Sequence, residues 1–205
     1  MKKVSLVTKI FIIGILLMQS VNGLSPVTKS FLVPGLGEYA LDEPARGRAF
    51  IISETTLWTS LAGALIISNN YSDQFQAFSA DFAGISPGGK NQQFWIDVGN
   101  YNSREDHNEE HLRFREFDAL YPNDSEWDWN WTSEKKRKQY RSYRITSDQW
   151  FLTAKFVAGG IVINHIISAV DVLYLQRISQ IQNISVLPVF DYGKGASGIV
   201  FQIQF

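Results

Sequence analysis

The chain has no cysteine at any of its 205 positions. That absence excludes disulfides, thiolate metal sites, cysteine nucleophiles and the lipid-modified cysteine of a lipobox. Charge of one sign is missing as well. With 19 basic and 20 acidic residues the net charge is −1, so no global field points to nucleic acid or to an anionic surface. The local basic run Lys135–Lys138 (KKRK) reads as a solvated helix start. GxGxxG fingerprints, phosphate-cradling loops and G-x-S-x-G elbows are absent, and Gly193-Lys194-Gly195 is turn chemistry. An exported chain without cysteine staples must be held by its core or by a membrane.

What is present is apolar and aromatic: 45% hydrophobic residues, 14% aromatic, six of them Trp. That composition argues against disorder. Lys2 and Lys3, the apolar Ile10–Met18 and the small-residue site Val21-Asn22-Gly23 predict a signal peptide over residues 1–23. The remainder, 24–205, reads as a single helical membrane-associated domain. Two long apolar segments dominate it, Gly47–Ser68 and Trp150–Leu175. The first contains Arg48 and Glu54; the second contains Lys155, His165 and Asp171. Ionisable groups in such stretches are costly unless paired or turned towards protein.

Ser25–Val33 is a short apolar approach that ends at Pro34, Gly35, Leu36 and Gly37, a helix-breaking turn. Asp42-Glu43-Pro44 then opens a helix through Gly47–Ser68. It ends at Asn69-Asn70 or continues to Gly84, and Ile85–Asn91 is a loop. A polar aromatic insertion follows, with a helix expected over about Glu105–Leu120 and a loop over Tyr121–Ser133. The next helix is expected to run from Glu134 to about Gln180. Ile184–Phe190 and Ile199–Phe205 flank a glycine-rich turn and alternate apolar with polar residues, which predicts a C-terminal β-hairpin over 184–205. The fold class is therefore mainly α: two long hydrophobic helices packed together, a polar aromatic helical insertion and the hairpin.

Three groups of residues invite a chemical reading. His107-Asn108-Glu109-Glu110-His111 matches H-x-x-E-H, whose two imidazoles share a helix face and can hold zinc. A third ligand would come from Glu116, Asp118 or His165, and nothing in the sequence selects one. A solvated helix face is the favoured reading, so no metal or other cofactor is assigned. Along the last long helix, Gly160, Asn164, Ser168 and Asp171 form a small and polar stripe. Glu54, with Arg48 or His165 as donor, and Asn164 and Asp171 are read as a structural polar clamp between the two helices. Trp127, Trp129 and Trp131 read as interfacial anchors or loop packing.

Pro34-Gly35-Leu36-Gly37-Glu38-Tyr39, then Gly47, Phe50, Glu54 and Trp58, resembles the opening of an uncharacterised bacterial envelope protein family. Trp95 to Tyr101 and the N-x-x-x-S-A-x-D block from Asn164 to Asp171 are similar to its other shared blocks. The resemblance spans about Ser30 to Arg177 and supplies no catalytic residue. It implies a non-enzymatic, membrane-associated protein of the bacterial cell envelope, exported by its signal peptide. Membrane lipids are the expected partners, with another envelope protein pairing through the C-terminal hairpin, and no nucleic acid. The alternatives are a small exported metal-binding protein or enzyme using His107 and His111, and a soluble periplasmic binding module.

Overall fold

The structure, a computed structural model, describes residues 23–86, 88–182, 184–191 and 196–203, with backbone alone from residue 180 onwards. The expected signal peptide lies outside the described residues, apart from Gly23. In chain order the helices are α1 (Pro26–Leu32), α2 (Leu36–Ala40), α3 (Pro44–Ala83), α4 (Gln92–Asn100), α5 (Arg104–Arg113) and α6 (Glu134–Gln182), with a 3₁₀ turn at Phe117–Ala119 before α6. The fold is mainly helical, and its two long apolar helices, α3 and α6, pack together. The hairpin expected after residue 184 adds nothing to this packing among the residues whose side chains are described.

Two compact units make up the chain. Unit 1 holds residues 1–58 and 159–205, and unit 2 holds residues 59–158. Both α3 and α6 are continuous from one unit into the other.

In unit 1, Ser25 caps α1 by accepting from Thr28 N–H at 3.2 Å, and Pro26 occupies the first turn, where its missing N–H costs nothing. The Pro34–Gly37 turn follows and is buried at Pro34, Gly35 and Gly37. Gly35 has φ +99°, and a Cβ there would also strike the backbone carbonyl of Gly47. At Gly37 a Cβ would strike the Pro26 carbonyl and come within 2.8 Å of Val172. A Cβ on Gly47 would sit 2.5 Å from the Tyr39 ring. The glycines thus let the turn meet the backbone of α1 at Pro26 and of α3 at Gly47 without a side chain between them.

Inward-facing positions along α3 and α6 recur in alternating steps of three and four. In unit 1 these are Gly47, Phe50, Glu54 and Leu57 on α3, and Ile161, Asn164 and Ser168 on α6. In unit 2 they include Leu61, Ala64, Ser68, Tyr71 and Phe75 on α3, and Tyr140, Tyr143, Ser147 and Ala154 on α6. A seven-residue repeat keeps one seam of a helix against its partner. Small residues recur within the seam, among them Gly47, Ala64, Ser68, Ser147, Ala154 and Ser168. In unit 2, Ser68 and Ser147 each donate a hydroxyl to the other's backbone carbonyl, at 3.0 and 2.9 Å.

Helix α3 passes through Asn69-Asn70, both exposed, and ends only at Ala83. Two asparagines cost a helix roughly 1 kcal/mol together, which the burial of Phe75 beyond them outweighs. Helix α5 stops at Arg113, short of the expected Leu120. Arg115 takes φ 59°, with Arg115 N–H on Leu112 O and Glu116 N–H on His111 O, the Schellman ending usually given to glycine.

The core of unit 2 is aromatic, formed by Phe75, Phe94, Trp95, Trp129, Trp131 and Tyr140. Helix α4, absent from the sequence reading, brings Phe94, Trp95 and Val98 to it, capped by Asn91. Trp129 and Trp131 are buried while Asp128 and Asn130 are exposed. The segment is extended, held by Asn130 N–H on Ala83 O and Trp131 N–H on Asn102 O. Strand-like alternation therefore puts alternate Trp on one side. Their indoles donate to Tyr101 O and Val98 O. These residues are core, not an interfacial platform; only Trp127 is half-buried, stacked on Tyr121.

Replacing Gly37 by Ala should cost about 2 kcal/mol or more, because backbone on one side and Val172 on the other cannot both move. Gly63→Ala, in a helix with open space around it, should be neutral or stabilise by about 0.5–1 kcal/mol. Thermal melts followed by circular dichroism compare the two; equal melting for Gly37→Ala and wild type would refute the packing role of the turn.

Candidate functional site

Glu38, in the first turn of α2, is fully buried. Each carboxylate oxygen receives a serine hydroxyl: Ser30 Oγ donates to Oε2, and Ser168 Oγ donates to Oε1 at 2.7 Å. The serines are themselves oriented. Gly37 N–H donates to Ser30 Oγ at 2.8 Å, and Gly35 N–H donates to Ser168 Oγ at 3.0 Å. A hydroxyl that accepts from an amide has its single hydrogen left for the carboxylate. The two glycine amides are thus relayed onto Glu38, and the relay ties α1, the turn and α2 to α6.

Glu54 of α3 is the centre of the second group. Asn164 Nδ2 donates to Oε2 at 2.9 Å and Trp58 Nε1 to Oε1 at 2.6 Å. His165 Nε2 lies 3.1 Å from Oε1. The other ring nitrogen, Nδ1, is 2.7 Å from the Phe31 carbonyl, which can only accept, so Nδ1 carries hydrogen. The Phe31 carbonyl belongs to the last turn of α1, where the helix itself offers no donor. Both carboxylate oxygens and both ring nitrogens face a partner, which suits a clamp.

Of the residues assigned to the clamp from sequence, Glu54, Asn164 and His165 come together. Arg48 does not: it is exposed and makes none of these contacts. Asp171 pairs instead with Arg46, at 2.5 Å from Nη1 to Oδ1, and its Oδ2 is buried without a partner. Glu38 and Ser30 were missed as site residues. The available signal was a carboxylate directly after two glycine amides that no side chain shields.

His107 and His111 do share a face of α5, with ring centroids 4.2 Å apart. Both rings have other work. Asn108 is held by Tyr121, taking its N–H on Oδ1 and giving Nδ2–H to its carbonyl, so Oδ1 accepts from His107 Nδ1 at 3.2 Å. His107 Nε2 is 3.6 Å from Asp97 Oδ2, and Asp97 accepts from Gln93 and from the Tyr121 hydroxyl. His111 Nδ1 is 2.5 Å from Glu116 Oε2. Among the described residues no group of three or more His, Asp or Glu side chains is arranged to hold a metal ion. Asp118 lines the same cavity, of about 310 Å³, and His165 belongs to the clamp.

Burial holds the His107 imidazole below its ordinary value, against the opposing pull of the Asn108 hydrogen bond and the Asp97 charge. Burial and then the Asp97 hydrogen bond push the Tyr121 phenol up. No family model matches the chain, and no curated protein or solved structure matches it.

Glu54→Ala should destabilise by about 1–3 kcal/mol, since three donors lose their acceptor. Glu54→Gln should be milder, because an amide accepts from Asn164 and donates to His165 Nε2, leaving only the Trp58 N–H without its acceptor. If both variants melt like wild type, the clamp is not structural. A second expectation concerns pH. The folded state binds the His107 proton more weakly than the unfolded chain does, so protonation favours unfolding. That contribution is complete above about pH 6.5 and falls as pH drops towards the lower folded value. Denaturant melts from pH 7.5 to 5.0 should show this slope in wild type and a smaller one in His107→Gln; identical slopes would refute it.

Proposed function

We propose that this chain is a non-enzymatic, membrane-associated protein of the bacterial cell envelope, exported by its N-terminal segment and embedded through α3 and α6. One observation carries the reading: polarity is inverted along the two helices. In unit 1 the buried polar residues are Ser30, Glu38, Asn164 and Ser168, while Ile52, Val162, Ile163, Ile167 and Val170 are more than half exposed. Only 6% of the most apolar window of α3 and 28% of that of α6 is buried. A water-soluble fold arranges these classes the other way round, because each exposed aliphatic side chain forgoes roughly 1.5–3 kcal/mol of burial. Lipid tails remove that cost and demand that polar groups be satisfied internally.

Length agrees with this. At about 1.5 Å per residue Gly47–Ser68 extends roughly 30 Å, the thickness of a bilayer's hydrocarbon. Charges bracket it, with Arg46 and Arg48 at one end and Asp73 after the other. Lys155, exposed within the apolar part of α6, lies with its ammonium 4.5 Å from the Phe151 ring, leaning back one turn towards Trp150 and the polar residues before it. That is the direction a lysine takes to reach water from a membrane helix.

The C-terminal hairpin belongs to the same proposal. The alternation of apolar Ile199, Phe201 and Ile203 with Gln202 after a glycine-rich stretch is what supports it. A two-stranded ribbon leaves both outer edges unpaired, and another envelope protein adding a strand is the partner they suit. Lipids are the principal partners; the proposal includes no cofactor and no nucleic acid. Against the metalloenzyme alternative stands the hydrogen bonding that already engages His107 and His111.

Carbonate extraction of membranes from cells making the full chain should leave it in the pellet. Release into the supernatant, and a monodisperse protein without detergent, would favour the soluble binding module and overturn the proposal.

A further inference from the structure

Unit 2 contains a cavity of about 280 Å³ at the level where α3 and α6 change character, next to the Ser68–Ser147 hydrogen-bond pair. On one side of that level the helices carry Asn69, Asn70, Asp73 and Arg141. On the other they carry the exposed Leu65, Ile66, Trp150, Phe151 and Leu152. Arg144, Asp148, Ser72, Gln76, Gln92 and Phe151 are among the residues lining it.

Arg144 is buried, and its charge is only partly used. Nη1 donates to Asp148 Oδ2 at 2.8 Å. Nε is buried without a hydrogen-bond partner, and no bond is made by Nη2. These two nitrogens form the edge of the guanidinium whose parallel N–H groups match two oxygens of a phosphate. A buried guanidinium donor without an acceptor is costly, so the edge has an occupant to gain from. Asp148 is half-buried, with Oδ1 making no hydrogen bond, and so offers an acceptor beside the donor edge. Donor pair and anion together form a zwitterionic site, and Phe151 continues it onto the apolar surface.

We propose that this cavity binds the headgroup of phosphatidylethanolamine, with the phosphodiester on the Nε–Nη2 edge of Arg144 and the primary ammonium on Asp148. The inference rests on the membrane reading above and names the lipid chemistry that reading leaves open. Ser72, Gln76 and Gln92 supply hydroxyl and amide groups for the remaining headgroup oxygens. A trimethylated ammonium has no N–H to give Asp148, so phosphatidylcholine satisfies half of the site.

The test uses the full chain purified in detergent, melted with added phosphatidylethanolamine, phosphatidylcholine, glycerophosphoethanolamine or inorganic phosphate. Phosphatidylethanolamine at roughly ten times its Kd should raise Tm by about 3 °C or more, and phosphatidylcholine clearly less. Arg144→Gln should abolish the rise. Asp148→Asn should erase the preference between the two lipids while keeping a response to both. A response to glycerophosphoethanolamine as well supports headgroup recognition. Stabilisation by inorganic phosphate but not by phosphatidylethanolamine would assign the site to a soluble phosphate and overturn the proposal. So would equal shifts from both lipids in wild type. If Arg144→Gln does not fold, native mass spectrometry of wild type decides: retained phosphatidylethanolamine supports the site, and indiscriminate lipid retention refutes it. Carbonate extraction separates the two readings, since a chain that stays in the pellet without lipid preference sinks only this inference.

Discussion

A carboxylate shielded from water loses several kcal/mol of hydration unless other donors take the water's place. At Glu38 those donors are two serine hydroxyls, each aligned by a glycine amide. The arrangement specifies much of unit 1 at once. Ser30 must come from α1, so α1 must fold back against α2. Ser168 must come from α6, so the turn must lie against that helix. The amides of Gly35 and Gly37 reach the serines only because no Cβ stands in the way. Remove the carboxylate and the turn keeps its shape requirement but loses the reason for its orientation.

Glu54 follows the same rule one level deeper along the helix pair, with Asn164, His165 and Trp58 as donors. Where the seam is small or polar, as at Gly47, Glu54, Asn164 and Ser168, closing it gives little hydrophobic gain. In lipid no such gain exists between helices anyway, and association depends on close approach and interhelical hydrogen bonds. The reciprocal Ser68–Ser147 pair is the same device in unit 2.

Much of this was legible in the sequence. The long helices announce themselves by length, and polar groups inside apolar runs pointed to Glu54, Asn164 and His165, which do meet. Arg48 was misplaced for a geometric reason: the seam passes through Gly47 and Phe50, and the residue after Gly47 turns outward. Arg46 was the better candidate for an acid on α6. The end of α5 was hidden because Arg115 fills a left-handed position that sequence reading expects glycine to hold. The Trp127–Trp131 alternation has a period of two, which fits an extended segment with Trp129 and Trp131 on its buried side. Glu38 was passed over because one acid after a turn is commonplace; only the enclosure around it makes it central.

The H-x-x-E-H string shows how spacing alone can mislead. Two imidazoles four residues apart do meet, as a metal site requires, yet His107 Nδ1 is already engaged by Asn108 and His111 Nδ1 by Glu116. His107 is buried against Tyr101, Tyr121 and Trp129, so its ring serves the aromatic core of unit 2. The contrast between the units completes the argument. One seven-residue repeat runs through both helices, and what changes is the chemistry off the seam. In unit 2 aromatic rings close over it beyond Ser68 and Ser147, and Asn69, Asn70, Asp73 and Arg141 face outward. In unit 1 Glu54, Asn164 and Ser168 lie within it, and Ile52, Val162, Ile163, Ile167 and Val170 face outward.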